Sequence, residues 1–176
     1  MSTPDALLSS DIIGNNANLF TSIYFTSKPS RFSTGYGPPV IWKHDPNLQA
    51  LNQVREETAV SHLGIQFSAI GDDWLEASMP VDARTKQPAG ILHGGATALL
   101  AETLGSVGSV LIVDWPRQQA VGIELNISHL RSVEQGQVTG RATAIRIGRR
   151  THVWDIRVRD EADRLIAVAR LTMAIL

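Results

Sequence analysis

The 176-residue sequence contains no cysteine. This absence excludes disulfide bonds, thiolate nucleophiles and metal sites built from cysteine. The sequence also lacks an excess of charge of either sign, because 16 Lys and Arg residues stand against 17 Asp and Glu residues. A balanced charge gives no broad basic surface for nucleic acid or for an anionic membrane, and we expect neither as a partner. Any anion-binding site must therefore be local.

Long hydrophobic runs are missing too. No stretch approaches the roughly 18 consecutive apolar residues of a membrane span. The first residues, "MSTPDALLSSDII", show no basic segment followed by an apolar one, as a secretory signal would. We therefore expect a cytoplasmic protein. The 5 histidines are scattered and form no HExxH motif, so we expect no metal site.

The composition divides the chain into two parts. Residues 1–40 mix Ser, Thr, Asn, Gly and Pro with a few aromatic residues and keep no steady period. We expect them to form a poorly ordered N-terminal extension, since disorder concentrates at termini. The alternative is an arm that packs its "LFTSIYF" stretch on a neighbouring subunit. Residues 41–176 are expected to form one globular domain.

The domain is predicted to open with a helix. Asp45 is a plausible N-cap, Pro46 suits the first helical position, and Gly64 ends the segment. Between them lies a rough apolar stripe, formed by Leu48, Leu51, Val54 and Val60.

Six later segments have the pattern of β-strands, and one has that of a buried helix. The strand segments are "IQFSAI", "WLEASMPV", "AVGIELNISHL", "GQVTGRATAIRI", "THVWDIRVRD" and "RLIAVARLTMAIL". From Ala96 to about Val113 the chain is apolar or small on nearly every face, which predicts a buried helix. Because short connections favour antiparallel pairing, we predict an α+β fold. A long central helix is wrapped by an antiparallel sheet of five to six strands.

Glu102 is the only acid in the central helix. Leu99, Leu100, Ala101 and Leu104 surround it in sequence. A carboxylate among such neighbours must be neutralised or compensated. Ser106, one turn later on the same face, can hydrogen-bond it or a substrate. An exposed position on an amphipathic helix is the alternative, but few other polar residues accompany Glu102. We therefore favour a functional role, since perturbed acids often mark sites.

A second candidate feature precedes the helix. His93 is followed by Gly94 and Gly95, and the first N–H groups of a helix are free donors. The glycines admit a ligand close to the backbone, so both are candidate binding residues. Such donors suit a carbonyl oxygen that gains negative charge during acyl transfer. With no Ser-His-Asp or Cys-His arrangement, the pattern indicates hydrolysis with a Glu as general base or nucleophile.

These motifs resemble a known family. The stretches "QPAGILHGGATALLAETLGS", "AVGIELNISHLRS", "IRIGRRTHVWDI" and "RLTMAIL" are similar to those of the hot-dog-fold acyl-CoA thioesterases. In particular they resemble the 1,4-dihydroxy-2-naphthoyl-CoA hydrolases of menaquinone biosynthesis. Their near relatives are proofreading thioesterases that clear misloaded aryl carrier protein in enterobactin synthesis. The resemblance runs from about Ile41 to Leu176.

The resemblance assigns roles to several residues. It implies that Glu102 is the catalytic carboxylate and that the Gly94 N–H is the oxyanion donor. Gln87 and His93 match loop side chains that hold the thioester or the attacking water, and Ser106 matches a hydroxyl in the same pocket. It also implies a site shared between two subunits, where Glu102 faces Gly94 of the other chain. A homotetramer built as a dimer of dimers is implied as well.

Other implied roles compete with structural ones. His129 matches a strand histidine that shapes the aryl-binding end. It also shares strand parity with Ile123, Leu125 and Ile127, so a core histidine is a competing interpretation. Without the resemblance, Gln87 would be interpreted as a solvent-facing loop residue. His93 is equally well explained as a residue that orients the Gly-Gly turn.

Two arginines at a predicted hairpin turn are candidates for binding coenzyme A. Arg149 and Arg150 follow Gly148, and Arg suits phosphate through its bidentate geometry. Arg150 matches a family arginine better than Arg149 does, and Arg131 is a weaker candidate. A solvated basic turn is the alternative.

The sequence thus predicts an acyl-CoA thioesterase that releases an aromatic or bulky acid and CoA. We expect this enzyme to need no metal and no redox cofactor. Coenzyme A is part of the substrate and is not a cofactor. Two alternatives stay open: a thioesterase acting on an acyl carrier protein, and a non-catalytic acyl-CoA-binding module.

Overall fold

The computed structural model describes residues 40–44 and 46–176. The predicted N-terminal extension lies outside these residues, except for Val40, and so does the proposed cap at Asp45. Within the described part, the segment before the sheet packs on the core. The Trp42 ring stacks on the Trp154 ring, with 6.3 Å between centroids and 9° between planes.

The helix predicted up to Gly64 is in fact two short helices, α1 (Leu48–Val54) and α2 (Ala59–His62). The cap of α1 is Asn47, whose side chain accepts the Ala50 N–H at 3.1 Å. The prediction that Pro46 is the first helical residue is therefore wrong, because it precedes the cap. Between the helices Glu57 has a positive φ of 59°, which interrupts the helical path.

Six antiparallel strands form one sheet, as predicted. They are β1 (Gln66–Ile70), β2 (Trp74–Pro80), β3 (Ala120–His129), β4 (Gln137–Ile147), β5 (Thr151–Asp160) and β6 (Leu165–Ile175). Their order across the sheet is β1-β2-β4-β5-β6-β3. The first and third strands are therefore the two edges.

The central helix, α3 (Gly94–Val110), packs on one face of the sheet. It begins two residues before the predicted Ala96. The alternation predicted for β5 is confirmed, since Trp154, Ile156 and Val158 are buried and face the helix side. Trp154 fits against Gly105 and Gly108 of the helix, and its indole N–H donates to Ser109 Oγ at 2.9 Å. The small helix residues thus allow close packing.

The two edges of the sheet differ. On β1, the Asn52 side chain donates to the Phe67 carbonyl at 3.0 Å and accepts the Phe67 N–H at 2.9 Å. This amide occupies the backbone groups with which another strand would pair. The β3 edge, within the described residues, pairs with β6 alone. Two apolar side chains stand exposed there, Val121 and Ile123.

Candidate active site

The N-terminus of α3 is capped by a histidine. His93 Nδ1 accepts the Gly95 N–H at 2.8 Å, and the His93 carbonyl accepts the N–H groups of Ala96 and Thr97. Among the described residues, no group accepts the Gly94 N–H. Of the first four donors of the helix, this N–H is therefore the one left for a ligand. The Gly95 N–H, a candidate donor from sequence, is occupied by the cap.

The cap also fixes the tautomer of His93. Because Nδ1 accepts a hydrogen bond, the neutral ring carries its proton on Nε2. His93 is an exposed residue. The side chain thus orients the Gly94-Gly95 turn and presents a donor beside it. From the sequence alone, the orienting role and a catalytic role of His93 are equally well supported.

A buried hydroxyl holds the loop that carries Gln87. Thr85 is 1% exposed. Its Oγ1 donates to the Pro80 carbonyl at 2.7 Å and accepts the Asp82 N–H at 3.1 Å. The Thr85 carbonyl accepts the His93 N–H at 2.8 Å. Thr85 therefore ties the loop to the helix start. No sequence pattern marks this role, because lone threonines are common in loops.

Gln87 and Gly94 meet at one open depression. It has a volume of about 390 Å³ and is also lined by Thr97, His129 and Arg131. Gln87 is half-buried and lines this open depression, so its side chain is partly exposed to solvent. The structure thus brings together the residues predicted to bind the thioester end.

His129 lies directly over the helix start. A Cβ atom added to Gly94 would lie 2.9 Å from His129 Cε1, so a glycine is needed for the ring to come this close. The interpretation as a core histidine is wrong, because His129 is exposed. His129 does face the helix side, with Leu125 and Ile127, but as the last residue of β3 it stands beside the open depression.

Glu102 forms a second cluster on the same helix. Its carboxylate is half-buried, and Ser106 Oγ donates to Oε1 at 3.4 Å. The same hydroxyl lies 3.8 Å from Met173 Sδ on β6. Burial raises the pKa of the Glu102 carboxyl above its ordinary value, and the Ser106 hydrogen bond lowers it by less. The predicted pairing of Glu102 with Ser106 is confirmed.

The two clusters do not meet within one chain. Glu102 lies eight residues after Gly94 on α3, which separates them by about 12 Å along the helix axis. Both clusters nevertheless border β3. His129 at its end lies over Gly94, and Gly122 near its start lies against Glu102.

The candidate anion-binding arginines are also divided between the Glu102 cluster and the Gly94 cluster. Arg149 and Arg150 are exposed at the turn between β4 and β5. The Arg150 carbonyl accepts the Ile175 N–H at 2.9 Å, and Ile175 pairs with Ala120 at the start of β3. These arginines therefore lie at the Glu102 end of the sheet edge. Arg131, the weaker candidate, lines the depression at the other end.

A larger depression, of about 560 Å³, lies on the outer face of the sheet. Its arginines are already paired with carboxylates of the same chain: Arg141 with Glu76 at 2.9 Å, Arg157 with Asp155 at 3.0 Å and Arg159 with Asp163 at 3.6 Å. The arginines that line this surface are therefore not free to bind an anionic substrate. Among the described residues, no group of three or more metal-ligating side chains and no helix suited to crossing a membrane is found.

The comparison with known proteins decides the family. A model of the thioesterase superfamily matches residues 89–167. The 1,4-dihydroxy-2-naphthoyl-CoA hydrolase of Escherichia coli (strain K12) is 49% identical over 137 residues, covering 78% of this chain and 100% of that protein. The chain belongs to the thioesterase superfamily. The proofreading thioesterase EntH of Cronobacter turicensis is 47% identical, covering 78% of this chain and 99% of that protein.

Solved structures agree with this assignment. The crystal structure of a thioesterase from Haemophilus influenzae has a TM-score of 0.75 and 48% identity to this thioesterase, covering 77% of this chain and 94% of that one. The predictions of a hot-dog fold and of a thioester hydrolase are therefore confirmed. The residue roles and the dimer of dimers stay predictions.

Proposed function

We propose that this thioesterase hydrolyses an acyl-CoA with an aromatic or bulky acyl group, similar to 1,4-dihydroxy-2-naphthoyl-CoA, to the free acid and CoA. The observation that carries the proposal is the half-buried Glu102 carboxylate on a helix whose first N–H has no acceptor among the described residues. Burial raises the pKa of this carboxyl. A carboxylate and an oxyanion donor are the two groups that thioester hydrolysis needs. The name of the relative that is 49% identical supports the acyl class.

The active site is proposed to form between two copies of the chain. Antiparallel pairing of two β3 edges places the start of one strand beside the end of the other. The Glu102 carboxylate beside Gly122 then approaches the Gly94 N–H beside His129 of a second copy. The β3 edge, which pairs with β6 alone in the described part of the chain, supports this pairing, as do the exposed Val121 and Ile123.

In the proposed reaction, the thioester carbonyl oxygen accepts the Gly94 N–H, which stabilises the oxyanion. Glu102 acts in one of two ways. As a general base it takes a proton from water, the water oxygen bonds to the carbonyl carbon, and the C–S bond breaks as the thiolate takes up the proton. As a nucleophile it bonds to the carbonyl carbon and expels the thiolate, and water then hydrolyses the anhydride. Gln87 and the His93 Nε2–H hold the thioester or the water.

The same pairing brings charged groups together at the mouth of the site. Arg149 and Arg150 of one copy approach the depression that Arg131 of the other copy lines. We propose that these arginines contact the phosphates of the coenzyme A nucleotide, because a guanidinium binds phosphate in a bidentate manner. Coenzyme A enters the reaction as part of the substrate.

A kinetic screen tests the proposal. Aryl-CoA, phenylacetyl-CoA and fatty acyl-CoA thioesters are compared, with Glu102→Ala as the inactive control. We expect the highest kcat/KM for aryl-CoA and no turnover by Glu102→Ala. Near-wild-type hydrolysis by Glu102→Ala would overturn the proposed mechanism.

The oxyanion donor has its own pair of variants. Gly94→Pro removes the N–H, while proline suits the first helical position and His93 already has the extended backbone that precedes proline. Gly94→Ala adds the same Cβ but keeps the N–H. We expect Gly94→Pro to lose about 100- to 1,000-fold in kcat and Gly94→Ala to lose much less. Equal losses would show that only the contact with His129 matters.

A carrier-protein substrate is the second candidate function. The 47% identity to a proofreading thioesterase favours it. Turnover of one aryl group on CoA and on an acyl carrier protein separates the candidates. A higher kcat/KM on the carrier would replace the proposed CoA substrate and keep the same chemistry.

A further inference from the structure

Gly122 and Glu102 share a tight contact between β3 and α3. Gly122 pairs with Met173 on β6 and faces the helix. A Cβ atom added to Gly122 would lie 3.2 Å from Glu102 Cδ. Its distance to Glu102 Oε1 would be well below 3.0 Å, the distance that real Cβ atoms keep from their neighbours. The carboxylate therefore occupies the space that any other side chain at position 122 would need.

The strand changes register immediately after this glycine. Gly122 pairs with Met173 and Glu124 pairs with Thr172, so Ile123 is an extra residue in a bulge. Bulges at sheet edges commonly lie beside active sites, where they redirect side chains. Here Ile123 is 59% exposed. The missing side chain at position 122 and the bulge after it together leave a notch at the level of Glu102.

We propose that Gly122 is a positioning residue, whose missing side chain forms the notch that holds the Glu102 carboxylate at the edge of the sheet. The inference rests on the proposed role of Glu102 in hydrolysis. A glycine inside a strand lowers strand stability, and it often marks the close approach of another group. The group that approaches here is the candidate catalytic carboxylate.

The contact predicts a specific kind of defect. The atoms that a Cβ at position 122 would displace form the far end of a flexible side chain. Gly122→Ala should therefore move the Glu102 carboxylate and leave the core unchanged. A misplacement of about 1 Å can cost about 100-fold in rate. The thioester-binding residues Gln87 and His93 lie in the other cluster and are not disturbed.

The experiment compares Gly122→Ala with Gly140→Ala. A Cβ at Gly140, on the same face of the sheet, would lie 2.9 Å from Leu104 Cδ1 and press on the core instead. We expect Gly122→Ala to lose about 100-fold in kcat, with KM and thermal stability close to wild type. Gly140→Ala should lose stability and keep its kcat. A ¹³C NMR titration of Glu102 should show a lower pKa in Gly122→Ala, because the carboxylate moves out of its buried position.

A double variant isolates the contact. Aspartate at position 102 is one methylene shorter and leaves room for the added Cβ. In a Glu102→Asp background, Gly122→Ala should therefore cost much less than in the wild type. If Gly122→Ala does not fold, folding of the double variant supports the steric conflict, and failure of both overturns it.

The outcomes separate this inference from the proposed function. Wild-type kcat in Gly122→Ala, with Glu102→Ala inactive, would overturn the positioning role and leave the proposed function intact. An active Glu102→Ala would overturn the proposed function itself.

Discussion

Glu102 and Gly94 lie on one helix, eight residues and about 12 Å apart along its axis. The thioester carbonyl must reach a carboxylate and an N–H donor within a few ångströms of each other. One chain cannot supply both from these two positions. The proposed site therefore needs the carboxylate of one copy and the helix start of another.

The buried carboxylate predicts the pH dependence of the reaction. Glu102 must be ionised to act as base or nucleophile, and burial raises its pKa. The kcat/KM should therefore fall with decreasing pH at a pKa above the ordinary range of glutamate. Ser106→Ala removes a hydrogen bond that lowers this pKa. The acid limb of the pH–rate profile should move to higher pH in Ser106→Ala, and a limb that does not move would contradict the assignment.

The same carboxylate should cost stability. A group whose pKa is higher in the folded state stabilises the fold at low pH, and this contribution is lost as pH rises through the folded pKa. At neutral pH the ionised Glu102 therefore destabilises the protein. Glu102→Gln should raise Tm at neutral pH, with a smaller difference in acid. Glu124→Gln, on the exposed face of β3, is the matched control and should change little. A lower Tm for Glu102→Gln would contradict this expectation, because it would show that the ionised carboxylate stabilises the fold.

His152 predicts a loss of stability in acid. It is 3% exposed, and its Nδ1 has no hydrogen-bond partner among the described residues. Burial lowers its pKa from 6.5 to about 4, with Lys43 adding a smaller effect. The unfolded chain binds the proton more readily, so stability falls as pH drops from 6.5 toward 4.

Urea unfolding at about pH 7 and about pH 4.5 measures this loss. We expect His152 to account for roughly 2 to 3 kcal/mol of the decrease in the free energy of unfolding. His152→Leu should remove that part of the decrease, whereas His62→Gln, at an exposed position, should not. An equal acid-induced decrease in wild type and His152→Leu would exclude the imidazole as its source.

Thr85 should affect catalysis through the loop that it holds. Thr85→Val leaves the Pro80 carbonyl and the Asp82 N–H without their partner, which costs about 1–3 kcal/mol of stability. Because the same residue holds the His93 N–H, kcat/KM should fall too. Thr85→Ser keeps the hydroxyl and should restore both. Wild-type kcat/KM in Thr85→Val would show that the loop is held by its other contacts.

Local patterns were enough to predict much of the fold. Strict alternation predicted β5, and the small, apolar run predicted α3. The errors occur at single positions: the positive φ of Glu57 divides a helix, and His129 is exposed because it ends β3 beside an open depression. Neither feature has a periodic signal in the sequence.

The candidate site was predictable for the residues with distinctive chemistry. An acid in an apolar helix and a His-Gly-Gly before it identified Glu102 and Gly94. Gly122 and Thr85 were missed, because their importance depends on what approaches them in space. The role of Gly122 depends on the Glu102 carboxylate that lies against it, and the role of Thr85 depends on the Pro80 carbonyl that its hydroxyl binds. Neither contact can be predicted from the sequence.

The shared site is tested most directly by mixing two inactive chains. Glu102→Ala and Gly94→Pro chains are co-expressed with different tags, and the mixed dimers are assayed with an aryl-CoA. Each mixed dimer should contain one site with both an intact Glu102 and an intact Gly94 N–H. A purified mixed dimer should therefore have about half of wild-type activity per chain, and an unfractionated random mixture should have about a quarter. If each site were built within one chain, the mixture would stay as inactive as its parents, and that result would contradict the account.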